Sequence, residues 1–498
     1  MATPTSRWYA LAALALSTLA IGLDTTILSV ALPTLSRDLH ASTGDLQWFT
    51  NAYLLVLAAV LLPAGMLGDR FGRKRLLLGA LAVFGAASAA CAWASSTGEL
   101  IAARTALGLG AAVLMPLSGA VLTVLFDDKE RSRALSVWLT ASALGIPLGP
   151  LLGGWLLDNF WWGSVFLINV PLVGIGLIAV ALWVPESHGD RTRRFDPLGV
   201  LLSAAGLVAV IYGIIEAGDR GWGDARSLIT MIGGAALLAG FVFWQRRSAA
   251  PLVDLDLFRS RAFTGGAILA TVASFAMLGL LFALPQFFAG VGGADAFGAG
   301  VRLLPVIGGL LVGARTAERI AVRLGSRTVI AAGLALIAIA LLVGARTGVH
   351  SGYGFVAAWV TAAGIGLGFT LPPSMDVALG ALTAERSGVG NGLIQAMRQV
   401  GGAIGVAVLG TVLSTGYRNA LPDGSGSAVR ESITNAGPDL IAAARVAFTH
   451  GMDLSLVVAA GVAGAGAVLA LVLLPARRPA PSAPPVEDAE LLLAESGL

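Results

Sequence analysis

Trp8-Tyr9-Ala10-Leu11-Ala12-Ala13-Leu14-Ala15-Leu16-Ser17-Thr18-Leu19-Ala20-Ile21-Gly22-Leu23-Asp24-Thr25-Thr26-Ile27-Leu28-Ser29-Val30-Ala31-Leu32-Pro33 carries one charge, Asp24, near its middle. A run of this length crosses a hydrocarbon core of roughly 30 Å as a helix. It is too long for a secretory signal, lacks a small-residue cleavage site and contains a carboxylate, so it reads as helix one. A charge at that depth costs about 2.5 to 3.5 kcal/mol on an insertion scale, which makes Asp24 a functional candidate by default.

The rest of the chain repeats this pattern. Of its 498 residues, 56% are hydrophobic and 12% charged, and the mean hydropathy is +0.83. A soluble globule of this size needs more polar surface, so the class is an all-α polytopic membrane protein. Apolar runs of about 20 residues predict fourteen transmembrane helices, over 8-33, 47-68, 76-95, 99-123, 134-156, 165-185, 197-217, 227-245, 263-289, 297-316, 328-346, 353-375, 390-414 and 451-475. Barrel strands would instead alternate over about 10 residues.

Most of the 32 Lys and Arg fall in short loops on one side, including Arg70, Arg73 and Lys74, Arg131 and Arg133, Arg191, Arg193 and Arg194, and Arg477 and Arg478. The positive-inside rule then places both termini in the cytoplasm. The basic residues form no contiguous face, so the formal charge of +3 is a topology signal and no nucleic-acid partner is expected. One cysteine, Cys91, precludes an intramolecular disulfide. Neither a metal site nor a cofactor is expected. The segment 415-450 reads as an external stretch with a short surface helix near Ile441 to Arg445, and the Pro-, Ala- and acid-rich tail 477-498 as disordered.

The loop after helix two repeats after helix ten. Gly65-Met66-Leu67-Gly68-Asp69-Arg70-Phe71-Gly72-Arg73-Lys74 aligns with Glu318-Arg319-Ile320-Ala321-Val322-Arg323-Leu324-Gly325-Ser326-Arg327, so that Arg70, Gly72 and Lys74 find Arg323, Gly325 and Arg327. Each loop follows the second helix of a six-helix half, with helices seven and eight inserted between. Parallel repeats of this kind build one large transporter architecture. The expected units are 1-190, an N-terminal six-helix bundle; 191-250, the inserted pair; 251-476, a C-terminal six-helix bundle; and the tail.

Four ordered motifs carry a specific resemblance. The loop Gly65 to Arg73, Leu23-Asp24-Thr25-Thr26 with Ala31-Leu32-Pro33, Arg104-x-x-x-Gly108-x-Gly110-Ala111-Ala112 in helix four, and Gly145-x-x-x-Gly149-Pro150-x-x-Gly153-Gly154 in helix five resemble fourteen-helix drug:proton antiporters of the EmrB/QacA type, within the major facilitator superfamily. The likeness continues through Phe166-Leu167-Ile168-Asn169-Val170-Pro171 and Arg398-Gln399-Val400-Gly401-Gly402. It implies proton coupling through Asp24 and Arg104, a conformational latch at Gly65, Gly68, Asp69, Arg70, Gly72 and Arg73, and an antiporter signature at Gly145, Gly149, Pro150, Gly153 and Gly154. Three departures stand out: Leu107 replaces the usual Gln, Trp162-Gly163-Ser164 replaces Trp-Arg-Trp, and helices ten and thirteen lack the mid-membrane acids with which some relatives recognise cationic drugs.

Each residue also has a plainer reading. Asp24 is a proton carrier, because burial and exposure to a wet cavity favour opposite protonation states, or a structural hydrogen-bond partner of Thr25, Thr26 or another helix. Arg104 is a partner that holds a carboxylate ionised, or an arginine snorkelling to the interface. The loop is a latch or a positive-inside anchor, and the helix-five stripe an antiporter signature or ordinary close packing. Gln395 and Arg398 face a cavity or snorkel, while Asp376 is a second proton site or a helix end. The expectation is proton-driven efflux of hydrophobic or amphipathic drugs, with protons, drug and lipid bilayer as the partners and a monomer as the working unit. Without a Gly-x-x-x-x-Gly-Lys-Ser/Thr loop, ATP is not the expected fuel. The alternatives are a proton-coupled metabolite symporter or facilitator, and a non-transporting membrane sensor. High Gly and Ala content and the preference for Arg over Lys point to a GC-rich bacterium and its cytoplasmic membrane.

Overall fold

The computed structural model describes residues 4-189, 196-248 and 251-475. Arg191, Arg193, Arg194, Arg477, Arg478 and the tail 477-498 lie outside the described residues. Fourteen helices are long and apolar enough to cross a membrane, and the chain is a multi-pass membrane protein. They are α1 (Arg7–Asp38), α2 (Thr43–Phe71), α3 (Arg73–Ala92), α4 (Thr97–Leu125), α5 (Arg133–Asn159), α6 (Ser164–Trp183), α7 (Pro197–Arg220), α8 (Ala225–Arg247), α9 (Arg261–Val291), α10 (Ala296–Leu324), α11 (Ser326–Gly344), α12 (Tyr353–Leu379), α13 (Arg386–Ala420) and α14 (Ile441–Leu473). Many extend past the apolar runs, because a helix continues beyond the hydrocarbon wherever caps and charges sustain it. Ser42 and Asp45 form a capping box at the start of α2, and Asp196 caps α7 with Pro197 in its first turn. The external stretch is shorter than expected: Ile441 to Arg445 begin α14, and the short helix is Ser427–Glu431.

The repeat read from two loops governs the packing. In the first sextet α1 packs on α5 and α6, α4 on α2 and α3, and α3 on α6; eight helices later α9 packs on α13 and α14, α12 on α10 and α11, and α11 on α14. The aligned glycines share a conformation. Gly72 has φ 105° and Gly325 has φ 81°, each donating its N–H four residues back, to Gly68 and Ala321. A positive φ is strained for residues with a Cβ, which is why glycine stands at both corners.

Two seams join the sextets, α2 with α13 and α5 with α10, and the inserted α7 covers the first while α8 packs on α7. Among the described residues, the hydrogen bonds across the seams gather away from the face that carries the N-terminus and most loop arginines, called here the basic face. Gln47 donates to the carbonyls of Val406 (3.1 Å) and Ala407 (2.9 Å). Ser36 donates to Ser432 at 2.9 Å, and Thr43 to the Glu431 carbonyl at 3.0 Å. Asp158 accepts from the backbone of Ala296 (3.1 Å) and Phe297 (2.9 Å).

Candidate functional site

Asp24 and Arg104 meet. Arg104 Nη1 donates to Asp24 Oδ2 at 2.6 Å, with side-chain exposures of 1% and 0%. Arg104 Nε donates to the Phe49 carbonyl at 3.0 Å, and the guanidinium lies 4.6 Å from the Tyr53 ring centroid and 5.9 Å from that of Phe166. The snorkelling reading of Arg104 is therefore wrong. Asn169, with its amide nitrogen 3.3 Å from Ser88 Oγ, lies beside the carboxylate, while Asp24 Oδ1 has no hydrogen-bond partner.

The glycines of helix four explain how the arginine gets there. A Cβ at Gly108 would lie 2.8 Å from the Tyr53 carbonyl, and one at Gly110 2.8 Å from Phe84 Cβ. Both positions admit only hydrogen, so α4 settles against α2 and α3 and carries Arg104 inward. Helix five does the same to α1. A Cβ at Gly145 would lie 2.7 Å from Gly22 C, one at Gly149 would overlap Thr26 Oγ1, and one at Gly153 would overlap Ile27. The stripe thus sets the position of the helix that carries Asp24, and Thr26 Oγ1 reaches the Gly145 carbonyl at 3.2 Å. Gly154 turns to the other sextet, 2.6 Å from Phe297 Cα by the same measure, and the Pro150 carbonyl packs on Gly300 of α10.

A small apolar cavity of about 20 Å³ lies between the sextets, lined by Thr26, Ile146 and Pro150 on one side and by Met277, Leu284 and Leu367 among others on the other. Its lining is hydrocarbon except for Thr26, which is two residues from Asp24.

The latch residues are tied within the first sextet. Asp69 Oδ1 accepts from Arg73 Nε (3.0 Å) and Nη2 (2.8 Å), Arg73 Nη1 reaches the Ala120 carbonyl at 3.3 Å, and its backbone N–H donates to the Ser187 carbonyl at 2.9 Å. Arg70 is exposed and lies over the Phe71 ring. Gly68 packs on Leu117, and a Cβ at Gly65 would meet nothing. Gln395 and Arg398 come together, Nη1 donating to Oε1 at 2.8 Å, whereas Asp376 is exposed near the end of α12.

Two carboxylates escaped the sequence reading. Asp453 lies inside α14, its Oδ1 buried without a partner; it stood at the edge of the last apolar run. Asp196 is buried where α7 begins and accepts from Gly199 N–H (2.9 Å), Trp244 Nε1 (2.9 Å) and Gln245 Nε2 (2.8 Å). Burial pushes this carboxyl up, but the hydrogen bonds outweigh it and hold it below the usual 3.8. The Asp-Pro helix start was a legible signal for it.

Two packed helix sextets, an apolar cavity between them and a buried ion pair near it define a membrane transporter of the alternating-access class. The chain belongs to the Major Facilitator Superfamily, whose sequence profile matches residues 14–406. It is 32% identical to the multidrug efflux pump LfrA of Mycolicibacterium smegmatis, over 92% of this chain and 94% of that one. It is 33% identical to the tetracenomycin C resistance and export protein of Streptomyces glaucescens, over 84% and 78%, and 33% identical to the methyl viologen resistance protein SmvA of Salmonella typhimurium, over 82% and 83%. Among solved structures, a bacterial homologue of the lysosomal transporter Spinster in an inward-facing, unoccupied conformation shares the fold, with TM-score 0.67 and 17% identity over 97% of this chain and 100% of that chain.

Proposed function

We propose that this protein exports hydrophobic or amphipathic drugs across a bacterial cytoplasmic membrane in exchange for protons, as a monomer with both termini in the cytoplasm and without nucleotide, metal or nucleic acid. The single observation that carries the reading is the Asp24–Arg104 pair, sealed from solvent and two residues from a cavity-lining threonine. The exporter names of the relatives and the helix-five stripe support export over the symporter alternative. In this division of labour 1-190 holds the proton site, 251-476 the facing wall, and 191-250 covers one seam. The seam contacts at the distal face match an inward-facing state, in which drug enters from the basic side.

The energetics are balanced. Removing one partner of a buried ion pair costs about 3 to 5 kcal/mol. A proton supplies about 2.3 kcal/mol per 100 mV and about 1.4 kcal/mol per pH unit, so one proton at 100 mV and one pH unit brings about 3.7 kcal/mol, on the scale of that cost. When Asp24 takes that proton, Arg104 keeps the Phe49 carbonyl and the Tyr53 and Phe166 rings, an alternative cradle for the freed cation. Movement of α1 then passes through Thr26 to the cavity. A latch through Asp69 and Arg73 would act on the opposite conformation, because here the two pair with each other.

The test is a drug-susceptibility panel in an efflux-deficient host together with proteoliposomes under an imposed inward proton gradient. Resistance and proton-driven expulsion are expected. Uptake of substrate along with protons would overturn the export direction.

A further inference from the structure

Arg398 is a cation within a spanning helix that has no ionic partner among the described residues. It lies twelve residues beyond Arg386 in α13, about 18 Å along the helix, too deep for simple solvation from the basic face. Its guanidinium has only neutral partners: Ser274 Oγ of α9 at 3.2 Å, Gln395 Oε1 at 2.8 Å and Met375 Sδ of α12 at 3.7 Å. Among the described residues, Nη2 makes no hydrogen bond. Of the helices that meet at Arg398, α9 and α13 contain no Asp or Glu, and the one acid of α12, Asp376, is exposed near the end of that helix. Arg104, in contrast, is neutralised by Asp24 at 2.6 Å. An uncompensated cation within a spanning helix is costly, and its retention marks a ligand or ion path.

The position gives the ligand. Ser274 is one turn from Met277, and Met375 two turns from Leu367; Met277 and Leu367 both line the apolar cavity. Arg398 therefore stands where α9, α12 and α13 meet, on the basic-face side of that cavity. We propose that Arg398 and Gln395 form an anion-accepting subsite at the mouth of the cavity, so that the compound carried is an apolar body bearing an acidic oxygen group and not a permanent cation. The apolar part lies along the hydrocarbon-lined walls, and the acidic oxygens accept from Nη2 and Nη1. A cationic head would meet an unneutralised guanidinium at low dielectric, and neither wall of the cavity offers a carboxylate to offset the repulsion. The inference rests on the export reading and narrows its substrate class.

The test measures equilibrium binding by purified full-length protein in nanodiscs, with empty discs subtracted, using the anion 8-anilinonaphthalene-1-sulfonate and the cation ethidium. Wild type is expected to bind the sulfonate at least about tenfold more tightly than ethidium, the scale of one charge-assisted hydrogen bond. Arg398→Gln is expected to lose about that factor for the sulfonate alone, and Arg398→Lys to keep most of it. Equal losses for both dyes in Arg398→Gln, or a wild-type preference for ethidium, would overturn the subsite. Should Arg398→Gln prove unstable, Arg398→Lys and the wild-type dye preference still decide. Proton-driven export of the same dyes is measured in parallel: charge-selective binding without export refutes the function and leaves the subsite standing, and export without charge selectivity does the reverse.

Discussion

Among the helix-five glycines that face α1, Gly145→Ala should damage this transporter most. The added Cβ would lie 2.7 Å from Gly22 C, 2.8 Å from Gly22 Cα and 2.8 Å from Leu23 N. Carbon pairs settle at about 3.5 to 4.0 Å, so α1 and α5 must separate by about 1 Å. All three atoms are backbone, and no rotamer relieves the clash. Overpacking of this kind costs about 1 to 3 kcal/mol, and loss of the Thr26 to Gly145 hydrogen bond about 1 more, against a helix-propensity gain of up to about 1. The net expectation is about 1 to 3 kcal/mol of destabilisation, with Leu23, next to Asp24, displaced directly. Gly174→Ala in α6 meets nothing within 4 Å and shares the propensity gain, so it is the matched control. Gly149→Ala should fall between, because Thr26 Oγ1 can rotate away while Ile27 N stays at 3.1 Å. The assays are thermal unfolding in detergent and drug export in proteoliposomes. Gly145→Ala with the stability and transport of Gly174→Ala would refute the claim that close approach of α5 positions the proton-carrying helix.

Two further outcomes are expected. Asp196→Ala should loosen the inserted pair by about 1 to 3 kcal/mol, read as faster proteolysis between α7 and α8. Because the folded Asp196 carboxyl is held below 3.8, its contribution is fully present above that pH and is lost as pH falls through the lower folded value, so the wild-type advantage over Asp196→Ala should shrink only below about pH 4. Asp69→Asn should lower export about tenfold while changing stability by less than about 1 kcal/mol, since the Asp69–Arg73 pair is partly exposed; an equal loss of both would make the loop an anchor and not a latch.

The helices were legible because each crossing demands its own apolar run, and the repeat because glycine must stand at the corners occupied by Gly72 and Gly325. The meeting of Asp24 with Arg104 was not legible from spacing, as they are eighty residues apart and their depth depends on Gly108, Gly110 and Gly145 admitting neighbouring backbones; the family likeness suggested the pair without its geometry. Hydropathy counted Arg104 as a shallow charge near a helix end, when its aliphatic stem and ring neighbours take it fully inside. Asp453 was lost to the same averaging. Arg398 was visible as a residue, but the neutrality of its partners appears only when α9, α12 and α13 are assembled.

The central claim is that Asp24 is the group whose protonation is exchanged for drug. The most direct measurement is substrate-induced proton flux in proteoliposomes reconstituted with wild type or Asp24→Asn, with substrate binding measured on the same preparations. Proton counterflow in the wild type, and none in an Asp24→Asn protein that still binds substrate, is the predicted result; undiminished counterflow in Asp24→Asn would contradict it.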